Sequence, residues 1–193
     1  MKLLSLILAI VSLACTSIYS DSKENLKKTK SVRVAKKEFS FYEDGLERKI
    51  LLEDSLLAEF GGTSNGKSFA KTSVPVQDAR GVKIWNIADS TLSKSLSKGD
   101  TSSLSGNLSP VFSENGRLMA LPGGVVLQLK PGINVSTWAS SKGIKTIEKM
   151  GIPNFYTIST ATGLDSLNLA NSLKNDPSVV SSTPNFWMES EQK

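Results

Sequence analysis

A hydrolase that works through a Ser-His-Asp or Cys-His relay needs an imidazole, and this sequence contains no histidine. Machinery of that kind is excluded. The same absence removes the commonest nitrogen ligand of zinc sites, and the single cysteine, Cys15, can neither complete a thiolate metal site nor close an intramolecular disulfide. No other pairing of a nucleophile with a base is evident, so the residues predict a protein that binds rather than catalyses, with no metal and no cofactor. A chain of 193 residues, 39% apolar and 21% charged, can form one moderate domain or two small ones with a sizeable core held by packing alone. Twenty-three basic against eighteen acidic residues give a net charge of +5. The basic residues are spread along the chain, which argues against a nucleic-acid partner.

The residue with modification chemistry is Cys15. Met1 and Lys2 precede an apolar run from Leu3 to Ala14 broken only by Ser5 and Ser12, the n-region and short h-region of a secretory signal over residues 1–20. The run is too short to span a bilayer. Cys15 follows Ser12-Leu13-Ala14, which looks like a bacterial lipobox ending in Ala-Cys, with Ser12 where leucine is preferred. The competing reading is ordinary cleavage near Ser17 or Ser20, which leaves no cysteine in the mature chain. The protein is therefore expected to be exported, either periplasmic or secreted, or a lipoprotein that meets a membrane only if Cys15 is lipidated.

Behind the signal, residues 21–37 carry Lys23, Lys27, Lys28, Lys30, Arg33, Lys36 and Lys37 with little to bury, and read as a solvated arm. Residues 38–109 read as a small β-hairpin extension followed by Ser-rich linkers. Phe39 and Phe41 alternate into Asp44-Gly45, and Ile50 and Leu52 alternate out of it, so a tight hairpin with one buried face is predicted. Val82 to Ile87 predicts one strand. The stretches Gly61–Ser73 and Ser90–Ser109 read as loops, although Leu92, Leu96 and Leu104 admit a helical spacing.

The second half is more regular. Val125 to Lys130 predicts a strand, Asn134 caps a helix from Val135 to Lys142 that Gly143 ends, and strands follow over Ile144–Met150 and Phe155–Thr160. Leu164, Leu167, Ala170 and Leu173 form one apolar stripe of a helix over 165–175, and Val179–Thr183 predicts a last strand. The fold class is α+β, and the order βαββαβ with these lengths describes a ferredoxin-like sandwich. On this reading residues 110–187 form a domain able to fold without the N-terminal arm, and 188–193 form a tail.

Three segments carry a resemblance: Gly116-Arg117-Leu118-Met119-Ala120-Leu121-Pro122-Gly123-Gly124-Val125, Gly163-Leu164-Asp165-Ser166-Leu167-Asn168-Leu169-Ala170-Asn171, and Pro184-Asn185-Phe186-Trp187. They resemble the N-terminal propeptide of secreted bacterial subtilisin-family proteases, in which a Pro-Asn-aromatic sequence leads into the tail ahead of the protease. The Asp44-Gly45 hairpin with Leu56-Leu57-Ala58 is similar to the extension such precursors carry before that domain. The resemblance covers about residues 38–60 and 110–187. In those precursors a catalytic domain follows, whereas here only Met188 to Lys193 remain. The resemblance thus implies the chaperone without the protease, similar to the separately encoded external chaperone of a bacterial kexin-like protease.

For individual residues the resemblance implies a docking surface in two parts. Val125, Leu127 and Val180 belong to the core, while outward side chains of the sheet, Tyr156 and Ile158 among them, meet the protease. Glu148 is the acid placed to cap a partner helix. Phe186 and Trp187 serve as core plugs or as interface anchors. The tail, ending in Gln192 and Lys193, lies extended in the substrate cleft, with the Lys193 ammonium in an acid-lined pocket. The expected function is intermolecular chaperone and inhibitor of a secreted subtilisin/kexin-like serine protease. The alternatives are an exported or lipid-anchored binding or structural module, which would pack Pro184–Trp187, and a truncated protease precursor.

Overall fold

Asp44 and Gly45 both adopt positive φ, 51° and 77°, the geometry of a two-residue reversal whose twist matches the strands it joins. It folds β1 (Glu38–Glu43) onto the long β2 (Leu46–Phe60), with Phe39 opposite Ile50 and Phe41 opposite Arg48. Phe41, Ile50 and Leu52 are buried, as the alternation around the turn requires. The computed structural model describes residues 36–61, 65–79 and 81–189. The expected signal, Cys15 and most of the basic arm lie outside the described residues, as do Gln192 and Lys193.

β2 organises a seven-stranded sheet rather than a small extension. A 3₁₀ turn, Gly66–Phe69, leads to β3 (Gln77–Ala79) and β4 (Val82–Asn86), and β4 pairs with the second half of β2. The other edge of β2 takes β5 (Leu108–Glu114), which pairs with β6 (Arg117–Ala120) across a second positive-φ turn, Asn115-Gly116. The Ser-rich stretch between β4 and β5 is not all linker. Ser90 accepts a hydrogen bond from Ser93 N–H at 3.0 Å and so caps α1 (Thr91–Ser97), whose Leu92 and Leu96 enter the core of this sheet. Serine content hides this helix because serine is poor inside a helix yet good at its start.

The remaining elements build a second sheet. β7 (Val125–Leu129) is followed by α2 (Val135–Ser141), β8 (Ile147–Lys149), β9 (Phe155–Ile158), α3 (Leu164–Leu173) and β10 (Val179–Pro184). These four strands lie in the order β10-β7-β9-β8, each antiparallel to its neighbours. Asn134 Oδ1 accepts from Thr137 N–H at 3.0 Å to start α2, and Gly143, at φ 68°, follows its end. The final element, β11 (Trp187–Met188), leaves this sheet and pairs with β6 of the first.

The two sheets share a helix. On α3, Leu164 and Leu167 pack into the core with Phe41, Ile50 and Leu52, while Ala170 and Leu173 pack with Val125, Leu127 and Ile158. Asn171 Nδ2 donates to Ser40 O at 2.8 Å, so the helix is also tied to β1. The strands beginning the expected 110–187 domain, most of β5 and all of β6, therefore belong to the sheet built on β2, and the apolar stripe of α3 is divided between two cores.

Candidate docking surface

Alternation along β7 assigns the two faces of the four-stranded sheet. Val125, Leu127 and Leu129 are buried under α2 and α3, together with Trp138, Ala139, Ala170 and Leu173. Both helices cover the same side. Val126 and Gln128 therefore point to the other side, and the register sets beside them Thr157 (opposite Val126), Phe155 (opposite Gln128), Thr183 and Ser181. Glu148 on β8 lies opposite Thr157 and is exposed. The result is a face of mixed apolar and hydroxyl side chains with an acid at one edge.

Two expected contact residues belong elsewhere. Ile158 pairs with Val125 and Tyr156 with Leu127, so both share the parity of the buried face. Ile158 is 1% exposed, and Tyr156 packs against the same helix-side cluster. Ile158 is core and Tyr156 is half-buried against it, and the outward positions on β9 are Phe155 and Thr157. Val180, expected in the core, is 54% exposed because the register of β10 slips between Val179 and Ser181. A bulge there turns the side chain outward.

Phe186 and Trp187 are packed. The Phe186 ring lies 4.8 Å from that of Phe41, and Trp187 stands against the cluster of Ala58, Val82, Ile84, Val111 and Ala120. Beyond them Glu189 N–H donates to Leu118 O at 2.9 Å, and Arg117 Nη2 donates to Glu189 O at 3.2 Å. The start of the expected tail is thus bound to β6. Gln192 and Lys193, expected in a cleft, lie outside the described residues, and among the described ones Glu148 lies at the edge of the open sheet face.

The hairpin tip flanks the open face beside β10. Thr183 Oγ1 donates to Tyr42 O at 3.2 Å, and the Lys174 ammonium sits 3.2 Å above the Tyr42 ring. Two clefts meet there. The larger, of about 630 Å³, is lined by Glu43, Asp44, Val126, Phe155, Val180 and Thr183 among others, and the smaller, of about 270 Å³, by Tyr42, Asp44, Lys174 and Val180 among others. Arg48 takes up the charge of Glu43 at 2.8 Å while holding both oxygens of Glu114, and the Glu114 hydrogen bond raises the guanidinium above its usual affinity for protons. Asp44 has no ion pair among the described residues.

Sequence reasoning missed Val126, Gln128, Phe155 and Thr157 as surface candidates. The signal was present, since fixing Val125 and Leu127 as core fixes their neighbours as outward. Among the described residues, no group of three or more carboxylate, cysteine or histidine side chains is arranged to hold a metal ion. No protein-family profile, no curated protein and no solved structure matches the chain.

Proposed function

We propose that this chain is an exported, non-catalytic binding module that acts as intermolecular chaperone and inhibitor of a subtilisin/kexin-like serine protease, docking through the open face of its four-stranded sheet. The observation that carries the reading is the one-sided placement of α2 and α3 over a sheet ordered β10-β7-β9-β8. That order, with the element sequence βαββαβ, supports reading this α+β unit as ferredoxin-like. The same segments that resemble subtilase propeptides, 116–125, 163–171 and 184–187, enclose or border this unit.

A preformed face of this kind chaperones by mass action. A surface that binds the native protease and not its unfolded chain stabilises the native state, increasingly so as its concentration exceeds the dissociation constant. A four-stranded face with its hairpin margin is suited to a standard interface of about 800 Å² per partner. Inhibition follows when the bound chain also blocks the cleft.

A second reading, an exported or lipid-anchored structural or binding module with another partner, is favoured by the packing of Phe186 and Trp187 and by the pairing of β11 with β6. The two readings separate in a titration. Purified protein added to a subtilisin-like and a kexin-like protease is expected to inhibit at least one of them stoichiometrically and to raise its refolding yield. Absence of both effects would favour the second reading.

A further inference from the structure

We infer that the docking surface does not stop at the sheet: the hairpin tip and the bulged Val180 form a second contact, which takes a basic side chain of the protease beside an apolar ridge. This rests on the sheet-face reading and names what selects the partner. Val180 lines both clefts, as Asp44 and Ser181 do, and the bulge beside it is a local departure from an otherwise regular β10–β7 pair. Bulges of this kind re-aim a side chain. Leu46, the first residue of β2 after the turn, is 68% exposed. Val180 on β10 and Leu46 just after the hairpin turn are thus two exposed large apolar side chains.

The charge pattern identifies the complement. The net charge of the chain is +5, yet the larger cleft is lined by Glu43 and Asp44 and, among the described residues, by no basic one. Arg48 already occupies Glu43, which leaves the Asp44 carboxylate to meet an incoming cation. Lys174 lines the smaller cleft, with its ammonium over Tyr42. The tip is held in place by the Thr183–Tyr42 and Asn171–Ser40 hydrogen bonds, so little ordering is needed on binding.

The test measures dissociation constants of the full chain for a subtilisin-like and a kexin-like protease whose nucleophilic serine is replaced by alanine. Asp44→Asn keeps a residue tolerant of positive φ and removes the charge, while Val180→Asp changes an exposed side chain, so both variants should melt like the unaltered protein. Thr157→Arg alters the sheet face alone. The expected result is binding weakened about fivefold by Asp44→Asn, with a reduced salt dependence, and about tenfold by Val180→Asp. Unchanged affinity in both hairpin variants, with Thr157→Arg weakened, would overturn the inference and leave the sheet-face reading standing. Weakening by the hairpin variants but not by Thr157→Arg would support the hairpin contact and sink the sheet-face reading. If neither protease binds the unaltered chain, both fall.

Discussion

Trp187 stands directly opposite Ala120 across the antiparallel pair of β11 and β6, with Met188 opposite Met119. The segment that the resemblance would lay in a protease cleft therefore has its main chain engaged within its own protein. For residues 187–189 to extend the strands of a cleft, β11 must leave β6 and give up the Glu189–Leu118 hydrogen bond. Trp187→Ala should loosen this strap at a cost of about 1–3 kcal/mol, less than for a fully buried tryptophan. Amide exchange at Glu189 should then approach that of an open chain. Protection equal to that of the unaltered protein would show that the backbone pairing holds without the indole.

A fragment of residues 110–187 should not melt cooperatively, whereas 36–189 should. Excision leaves β5 without β2 and strips Leu121 and Leu167 of Phe41, Ile50 and Leu52. A sharp thermal transition in the short fragment would mean that the core under α2 and α3 suffices alone.

Gly66→Ala should destabilise the chain by about 1–3 kcal/mol. A Cβ there would sit 2.5 Å from Cδ1 and Nε1 of Trp85. That indole cannot easily withdraw, because its N–H donates to the buried Glu59 carboxylate at 2.8 Å while Asn65 N–H donates to the other oxygen at 2.6 Å. Denaturant midpoints of the two proteins decide it, and coincident curves would show that the turn shifts freely.

Stability should fall at acid pH through Asp176. Its side chain is 6% exposed, and Lys142 Nζ at 2.6 Å, followed by Ser178 N–H at 2.7 Å, holds the carboxyl below its ordinary value. A carboxyl with a depressed folded-state pKa contributes stability above its unfolded-state value, about 3.9, and loses it as pH falls through the lower folded-state value. Asp176→Asn should lower the melting temperature at pH 7 and flatten the loss below about pH 4. Parallel pH profiles for the two proteins would assign the acid loss elsewhere.

Local signals in the sequence translated directly. Asp44-Gly45 turns, Asn134 caps and Gly143 follows a helix end because each acts within a few residues. The errors arose where the deciding contact is distant. The parity that puts Tyr156 and Ile158 inward is set by their register on Leu127 and Val125, and Val180 turns outward through a bulge that no composition announces. The pairing of Trp187 with Ala120 joins segments far apart in the chain within the seven-stranded sheet, so the Pro-Asn-aromatic signature alone could not locate it.

Thr157 lies within the proposed docking face opposite α2 and α3, across from both Val126 and Glu148. The most direct measurement is the dissociation constant of Thr157→Arg against the unaltered chain for a bound, serine-to-alanine subtilisin-family protease, with melting temperatures taken alongside. With docking through this face, affinity should weaken about tenfold or more in the variant at an unchanged melting temperature. Equal dissociation constants for the two proteins would contradict it.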